Sequence, residues 1–234
     1  MPNEILLVFS LFIAFGGLLV FFRLFGKGGI FAWTAIATIT ANIEVLILIK
    51  AFGMEQTLGN VIFASSFLAT DILSECYGKK TADKAVYIGI GTSVAFILLS
   101  HLWMLYTPSA NDWASPSIRN IFSNTPRIML VSLIGYAVSE LFDVWAYHKW
   151  WNFTAKKCGD GRRFLWVRNN GSTLISQFIN IVLFNFGAFW GMYDMHTLFV
   201  ITASSYVIYI FTSLLDTPFM YLARRIYGSH KIND

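Results

Sequence analysis

Charge is what this sequence has least of. Asp, Glu, Lys and Arg make up 13 % of its 234 residues, where an ordinary soluble domain carries about 25 %. Hydrophobic residues make up 56 % and mean hydropathy is +0.59, so there are too few polar side chains to cover a water-facing surface. The same shortage excludes a disordered chain, which needs high charge and few apolar residues. Cysteine is scarce too: Cys76 and Cys158 make neither a disulfide framework nor a metal-ligand spacing, and both are expected as free thiols. Before the first apolar run, Met1-Pro2-Asn3-Glu4 lacks the basic stretch of a cleaved signal peptide, so that run reads as a retained span.

What the sequence does have is long apolar runs. A helix needs roughly 20 apolar residues to cross the hydrocarbon core, and seven stretches qualify, at about 5–25, 30–50, 57–77, 85–106, 127–148, 172–193 and 197–222. They are too long and too continuous for barrel strands, which alternate over about ten residues. The expected fold is therefore all-α, a polytopic membrane helix bundle of about seven transmembrane helices. Fourteen of the 17 Lys and Arg fall on one side of this arrangement, and only Lys50, Arg119 and Arg127 on the other. The positive-inside rule then puts the N-terminus outside and the C-terminus in the cytoplasm. The net charge of +4 is thus a topology signal, with the lipid bilayer as the partner; no basic patch with interleaved exposed aromatics points to nucleic acid. Trp33, Trp103, Trp150, Trp151 and Trp190 fall near span ends, as interfacial anchors do. Thr107 to Pro126 holds three prolines and should be irregular, with a short interfacial turn at Ile118 to Phe122.

The acids are distributed differently from the bases. Of the 13 acidic residues, Glu44, Asp71, Glu75, Glu140, Asp143 and Asp216 fall within spans, and no base lies well inside one. A carboxylate at membrane depth is costly enough to be read as functional. Asp71 and Glu75 are i,i+4 and Glu140 and Asp143 are i,i+3, so each pair shares a helix face. Gln177 and Asn180 do the same on the sixth span, with Ser172, Thr173 and Ser176 alongside, and on the second span Thr38 shares a face with Asn42. Counting about 1.5 Å per residue from the inner ends, these groups fall between the cytoplasmic interface and the midplane. The expectation is one central, acid-rich and base-free polar chamber. Glu75, Asp143 and Asp216 are near enough to inner ends for partial hydration, Asp216 beside a helix break at Pro218. The bland alternative is that the amides and hydroxyls only tie neighbouring helices together. The pairs Gly89/Gly91 and Gly187/Gly191 read as close helix packing.

Enzyme signatures are missing. His101, His148, His196 and His230 are scattered without metal-ligand spacing, and there is no serine–histidine–acid set, His-Glu-x-x-His motif or phosphate loop. No catalytic residue, cofactor or metal is expected.

Two stretches carry a resemblance: Phe67-Leu-Ala-Thr-Asp71-Ile-Leu-Ser-Glu75-Cys-Tyr-Gly-Lys79-Lys80 and Arg168-Asn-Asn170-Gly-Ser-Thr-Leu-Ile-Ser176-Gln177. With Ser139-Glu140-Leu-Phe-Asp143-Val144 between them, the chain resembles the VUT family of vitamin-uptake-type transporters, also called queuosine precursor transporters. The similarity runs from about residue 30 to the end, leaving 1–29 as an additional N-terminal span on a 30–234 core. It implies a core of six helices similar to the substrate-binding subunits of energy-coupling-factor vitamin importers. It also implies uptake of 7-cyano- or 7-aminomethyl-7-deazaguanine, precursors of the modified tRNA base queuosine, across the bacterial inner membrane. A deazaguanine offers two parallel donors to a carboxylate, an acceptor oxygen to an amide and a flat face to aromatics. On that reading Asp71, Glu140 and Asp143 supply carboxylate contacts, and Asn42, Asn170, Gln177 and Asn180 are amide partners. Glu44, Glu75 and Ser176 complete the candidate substrate-binding set. Transport is expected to be gradient-driven; the alternatives are an external coupling module, another purine-like compound or vitamin, or a membrane receptor that does not translocate. A homo-oligomer is compatible with all of these.

Overall fold

In a computed structural model, the structure describes residues 2–123, 126–158 and 163–229. Arg162 and Lys231 of the basic side, and the side chain of Cys158, lie outside the described residues.

The first helix, α1 (Asn3–Glu44), is broken at Gly26, whose φ of 59° and ψ of −140° are not helical. Two legs, 3–25 and 27–44, fold back on each other there. Phe21 and Trp33 meet at 5.6 Å between ring centroids, although they are twelve residues apart, about 18 Å along a straight helix. The fold is tight enough that a Cβ on Gly29 would stand 2.0 Å from the Phe21 carbonyl oxygen. The two legs are the first two spans read from the sequence. Trp33 is not an interfacial anchor: the Cβ of any residue at Gly17 would meet its ring at 2.6 Å, and its Nε1 donates to Ser65 Oγ at 3.0 Å.

The second leg ends at Glu44, short of the expected residue 50. Leu48–Ala51 is instead β1, paired antiparallel with β2 (Met54–Thr57). Phe52 and Gly53 take φ of 52° and 74°, the pair of positive values of a type I′ turn, which matches the twist of the two strands. The hairpin lies at the end of the bundle opposite Gly26, where Asn3 Nδ2 and Glu4 Oε1 reach the Lys50 carbonyl and the Phe52 amide, both at 2.9 Å.

Helix α2 (Gly59–Tyr77) returns through the middle, and every residue from Ala64 to Ser74 is buried. It is followed by α3 (Lys79–Trp103), the short α4 (Ser115–Ser123), α5 (Pro126–Cys158), α6 (Leu165–Phe189) and α7 (Met195–Ser229). Five helices are long and apolar enough to cross a membrane: α1, α3, α5, α6 and α7. With α1 crossing twice and the more polar α2 enclosed by the others, the bundle has seven crossings. The short helix α4 is the turn expected at Ile118 to Phe122, anchored by Phe122 against Phe96 and Trp103.

Two spans begin or run further than their hydropathy indicates. Helix α6 starts at Leu165, seven residues before the expected 172, and draws Arg168, Asn169 and Asn170 into the buried interior. Helix α7 continues through Pro218, so Asp216 is not exposed by a break there; it is 1 % exposed. Of the glycine pairs, Gly89 packs under Tyr136 and Gly187 under Val131, whereas Gly91 faces open space and Gly191, at φ 82°, shapes a turn.

Candidate functional site

Three helices bring four carboxyl groups together in the centre of the bundle. Asp71 comes from α2, Glu140 and Asp143 from α5 and Asp216 from α7, and all four are buried. Each receives a hydrogen bond from a neutral group on another helix. Thr173 Oγ1 donates to Asp71 Oδ2 at 3.1 Å and Ser176 Oγ to Asp143 Oδ1 at 2.7 Å. Thr70 Oγ1 donates to Glu140 Oε2 at 3.0 Å and Asn169 Nδ2 to Asp216 Oδ1 at 2.7 Å. The second oxygens of Asp71, Glu140 and Asp143, with the amide oxygens of Asn169 and Gln177, meet no donor among the described residues. The Asp71 and Asp143 carboxyls stand within hydrogen-bonding reach of each other, with Asp216 in electrostatic range. Buried acceptors without donors cost free energy, and ionised ones cost most. This cluster is therefore suited to protons, to a cation, or to a ligand edge rich in N–H groups.

Glu75 does not belong to that cluster, and the expectation of a base-free interior is corrected here. One turn from Asp71 on α2, Glu75 is held by Arg168, whose side chain is fully buried. Arg168 Nη2 donates to both Glu75 oxygens at 2.8 and 2.7 Å and Nε to Oε2 at 3.0 Å. Tyr147 OH donates to Oε2 at 2.8 Å, and Arg224 Nε stands 3.7 Å from Oε1. The guanidinium lies 4.5 Å from the Trp151 ring centroid, a cation–π contact, and Nη1 donates to the Arg163 carbonyl. Planar, bidentate pairing of this kind is what arginine does better than lysine. The result is a latch across α2, α5, α6 and α7 at the end of the bundle where Gly26 and the basic residues lie. Arg168 was missed because hydropathy alone puts it in a loop.

The remaining candidates divide. Ser176 serves the cluster through Asp143, and Gln177, 1 % exposed, lies one residue further along α6. Asn170 engages its amide within α6 and across to α7, donating to the Trp166 carbonyl and Thr217 Oγ1 and accepting from Ser213 Oγ. Asn42 donates to the Thr38 carbonyl and to Ser93 Oγ, towards the hairpin end. Glu44, the last residue of α1, is half-buried at that end and outside the cluster. Asn180 lines a separate cavity under the hairpin, with Gln56, Asn60, Asn185 and Tyr209. The single chamber read from spacing is thus two compartments, because Asn42 and Asn180 lie on the hairpin side of the cluster. Asn169 and Thr70 join the cluster without having been singled out, Asn169 because α6 begins earlier than its hydropathy indicates; Asp216, one of the six acids within spans, joins it from outside the candidate substrate-binding set.

Over residues 57–223 the chain matches the family described as "Putative vitamin uptake transporter", a stretch that holds all four cluster carboxyls and, of the latch, Glu75, Tyr147 and Arg168. It is also 34 % identical over 226 residues, 97 % of this chain and 96 % of the relative, to a Bacillus subtilis (strain 168) protein named "Probable queuosine precursor transporter". The chain belongs to the vitamin uptake transporter family. No solved structure matches it. As a family member with five helices long and apolar enough to cross a membrane, it is a multi-pass transporter of the bacterial cytoplasmic membrane.

Proposed function

We propose that this transporter imports queuosine precursors, 7-cyano-7-deazaguanine or 7-aminomethyl-7-deazaguanine, driven by an ion gradient. One observation carries the reading: Asp71, Glu140 and Asp143 each keep a buried oxygen without a donor among the described residues. A deazaguanine has the complementary pattern, N1–H beside a 2-amino group, and the aminomethyl form adds a positive charge. The amide oxygens of Gln177 and Asn169 offer two further acceptors. The name of the Bacillus subtilis relative supports the same substrate class.

The basic end, with Lys27, Lys79, Lys80, Lys156 and Lys157, faces the cytoplasm by the positive-inside rule, and the hairpin end faces outward. The latch then closes the cytoplasmic end while the cavity under the hairpin opens outward, a form ready to receive substrate. Proton coupling is the favoured energy source. Two facing carboxyls such as Asp71 and Asp143 share a hydrogen bond only when one holds a proton, and a cationic or donor-rich substrate competes with that proton for the same oxygens. The leg 3–25 of α1 supplies none of these groups and is an addition outside the transport core.

The test is growth-dependent. A bacterium unable to make or import the precursors, expressing this chain alone and fed a low concentration of each, should regain queuosine in its tRNA. No recovery, with the protein confirmed in the membrane, contradicts uptake by the chain alone, and recovery only with a co-expressed coupling module contradicts gradient coupling.

A further inference from the structure

The cavity under the hairpin is not explained by the carboxyl cluster. It measures about 770 Å³ counting its open mouth, and the described residues lining it include no charged side chain. Its chemistry is amide and aromatic: Asn180 and Asn185 from α6, Phe63 from α2, Phe184 from α6, Tyr209 from α7 and Gln56 from β2. Several of the polar groups there have protein partners. Tyr209 OH donates to Asn60 Oδ1 at 3.1 Å, and Asn185 Nδ2 to Thr202 Oγ1 at 3.3 Å.

Gln56 differs from them in having both amide atoms buried and unmatched. Its side chain is 3 % exposed, and neither Oε1 nor Nε2 has a hydrogen-bond partner among the described residues. A buried primary amide with both ends unmatched is costly to keep. The strand register places it opposite Ile49, in the middle of the short sheet that covers the cavity. Asn180, which also lines the cavity, is one turn of α6 beyond Ser176, which holds Asp143. Its Oδ1 sits so close over α5 that a Cβ on Gly135 would be 2.8 Å away. The cavity therefore begins about one helical turn, about 5.4 Å along the axis, from the cluster.

We infer that this cavity is a separate reception site for a planar, uncharged heteroaromatic edge, with the Gln56 carboxamide as its recognition group. A carboxamide presents a donor and an acceptor side by side, which matches the N–H and C=O of a cyclic lactam, and aromatic walls suit the flat ring. The reception site reads the lactam and the ring; the carboxyl cluster, one turn deeper, reads the donor-rich edge. The inference rests on the proposed import of a deazaguanine and names a second place where that substrate is selected.

The experiment measures uptake of labelled 7-cyano-7-deazaguanine by cells expressing the native chain or Gln56→Met, with the thermal stability of both purified proteins. Methionine keeps the volume and removes both amide atoms. If Gln56 serves a ligand, Gln56→Met is as stable as the native protein or more so, and its KM rises at least about tenfold, the size of one lost hydrogen-bonded pairing. A stability loss in Gln56→Met, with KM unchanged in Gln56→Ala that still reaches the membrane, assigns Gln56 a structural role and overturns the inference. Unchanged KM with unchanged stability overturns it too. Both of those results leave import by the native chain standing; no uptake by the native chain overturns import and the reception site together.

Discussion

Asp71 and Glu75 share one face of α2, one turn apart, and their surroundings are opposite. Glu75 has both oxygens engaged by Arg168, Tyr147 and Arg224. Asp71 has one neutral donor, Thr173, and two carboxyls for neighbours. An acid with a complete set of partners holds helices together; an acid with an open oxygen beside other acids is available to something that comes and goes. Spacing alone places both on one face and does not separate the two roles. What separates them is where α6 begins, since its first turn carries the arginine.

The largest expected effect lies on the open side of that comparison. Asp71→Asn or Glu140→Gln keeps the size and removes the charge, so each should reach the membrane normally and bring uptake to background. Normal uptake in both would remove the cluster from the transport path.

On the latch side the effect should be on stability first. Removing one member of a buried pair costs about 3–5 kcal/mol, whereas replacing both with apolar groups of similar volume is often neutral. Glu75→Gln should therefore unfold at markedly lower denaturant in detergent, and the double variant Glu75→Leu with Arg168→Met should recover most of the loss. Equal stability of native and Glu75→Gln protein would mean that the latch holds nothing together.

A smaller effect should come from the packing of α3 against α5. A Cβ on Gly89 would stand 1.9 Å from the Tyr136 hydroxyl oxygen, so Gly89→Ala must push that ring and should cost about 1–3 kcal/mol, as overpacking generally does. Gly91→Ala, facing open space, should cost nothing by comparison, and equal melting temperatures for the two would contradict the packing described. The smallest effect is expected at exposed Lys156, where Lys156→Ala should stay within about 0.5 kcal/mol with uptake unchanged.

Much of this was legible from composition. Seven apolar runs match seven crossings, since length and continuity are what a bilayer selects, and the Asp71, Glu140 and Asp143 grouping follows from helical spacing. Three features were not legible, each for a physical reason. The strand Leu48–Ala51 is as apolar as a helix end, and only the Phe52-Gly53 turn marks it. Arg168 lowers local hydropathy and so hides the membrane helix that buries it, because burial there depends on a partner ninety-three residues away in sequence. Depth was misjudged for Asn42 and Asn180 because a count from the inner ends does not show which neighbours each one meets across the bundle.

The central claim is that the open carboxyls of the cluster carry the substrate. The most direct measurement is accumulation of labelled 7-aminomethyl-7-deazaguanine in proteoliposomes of the purified chain under an imposed proton gradient, for the native protein, Asp71→Asn and Glu140→Gln. Accumulation by the native chain alone, lost when the gradient is collapsed, is the predicted result. Equal accumulation by all three proteins would contradict it.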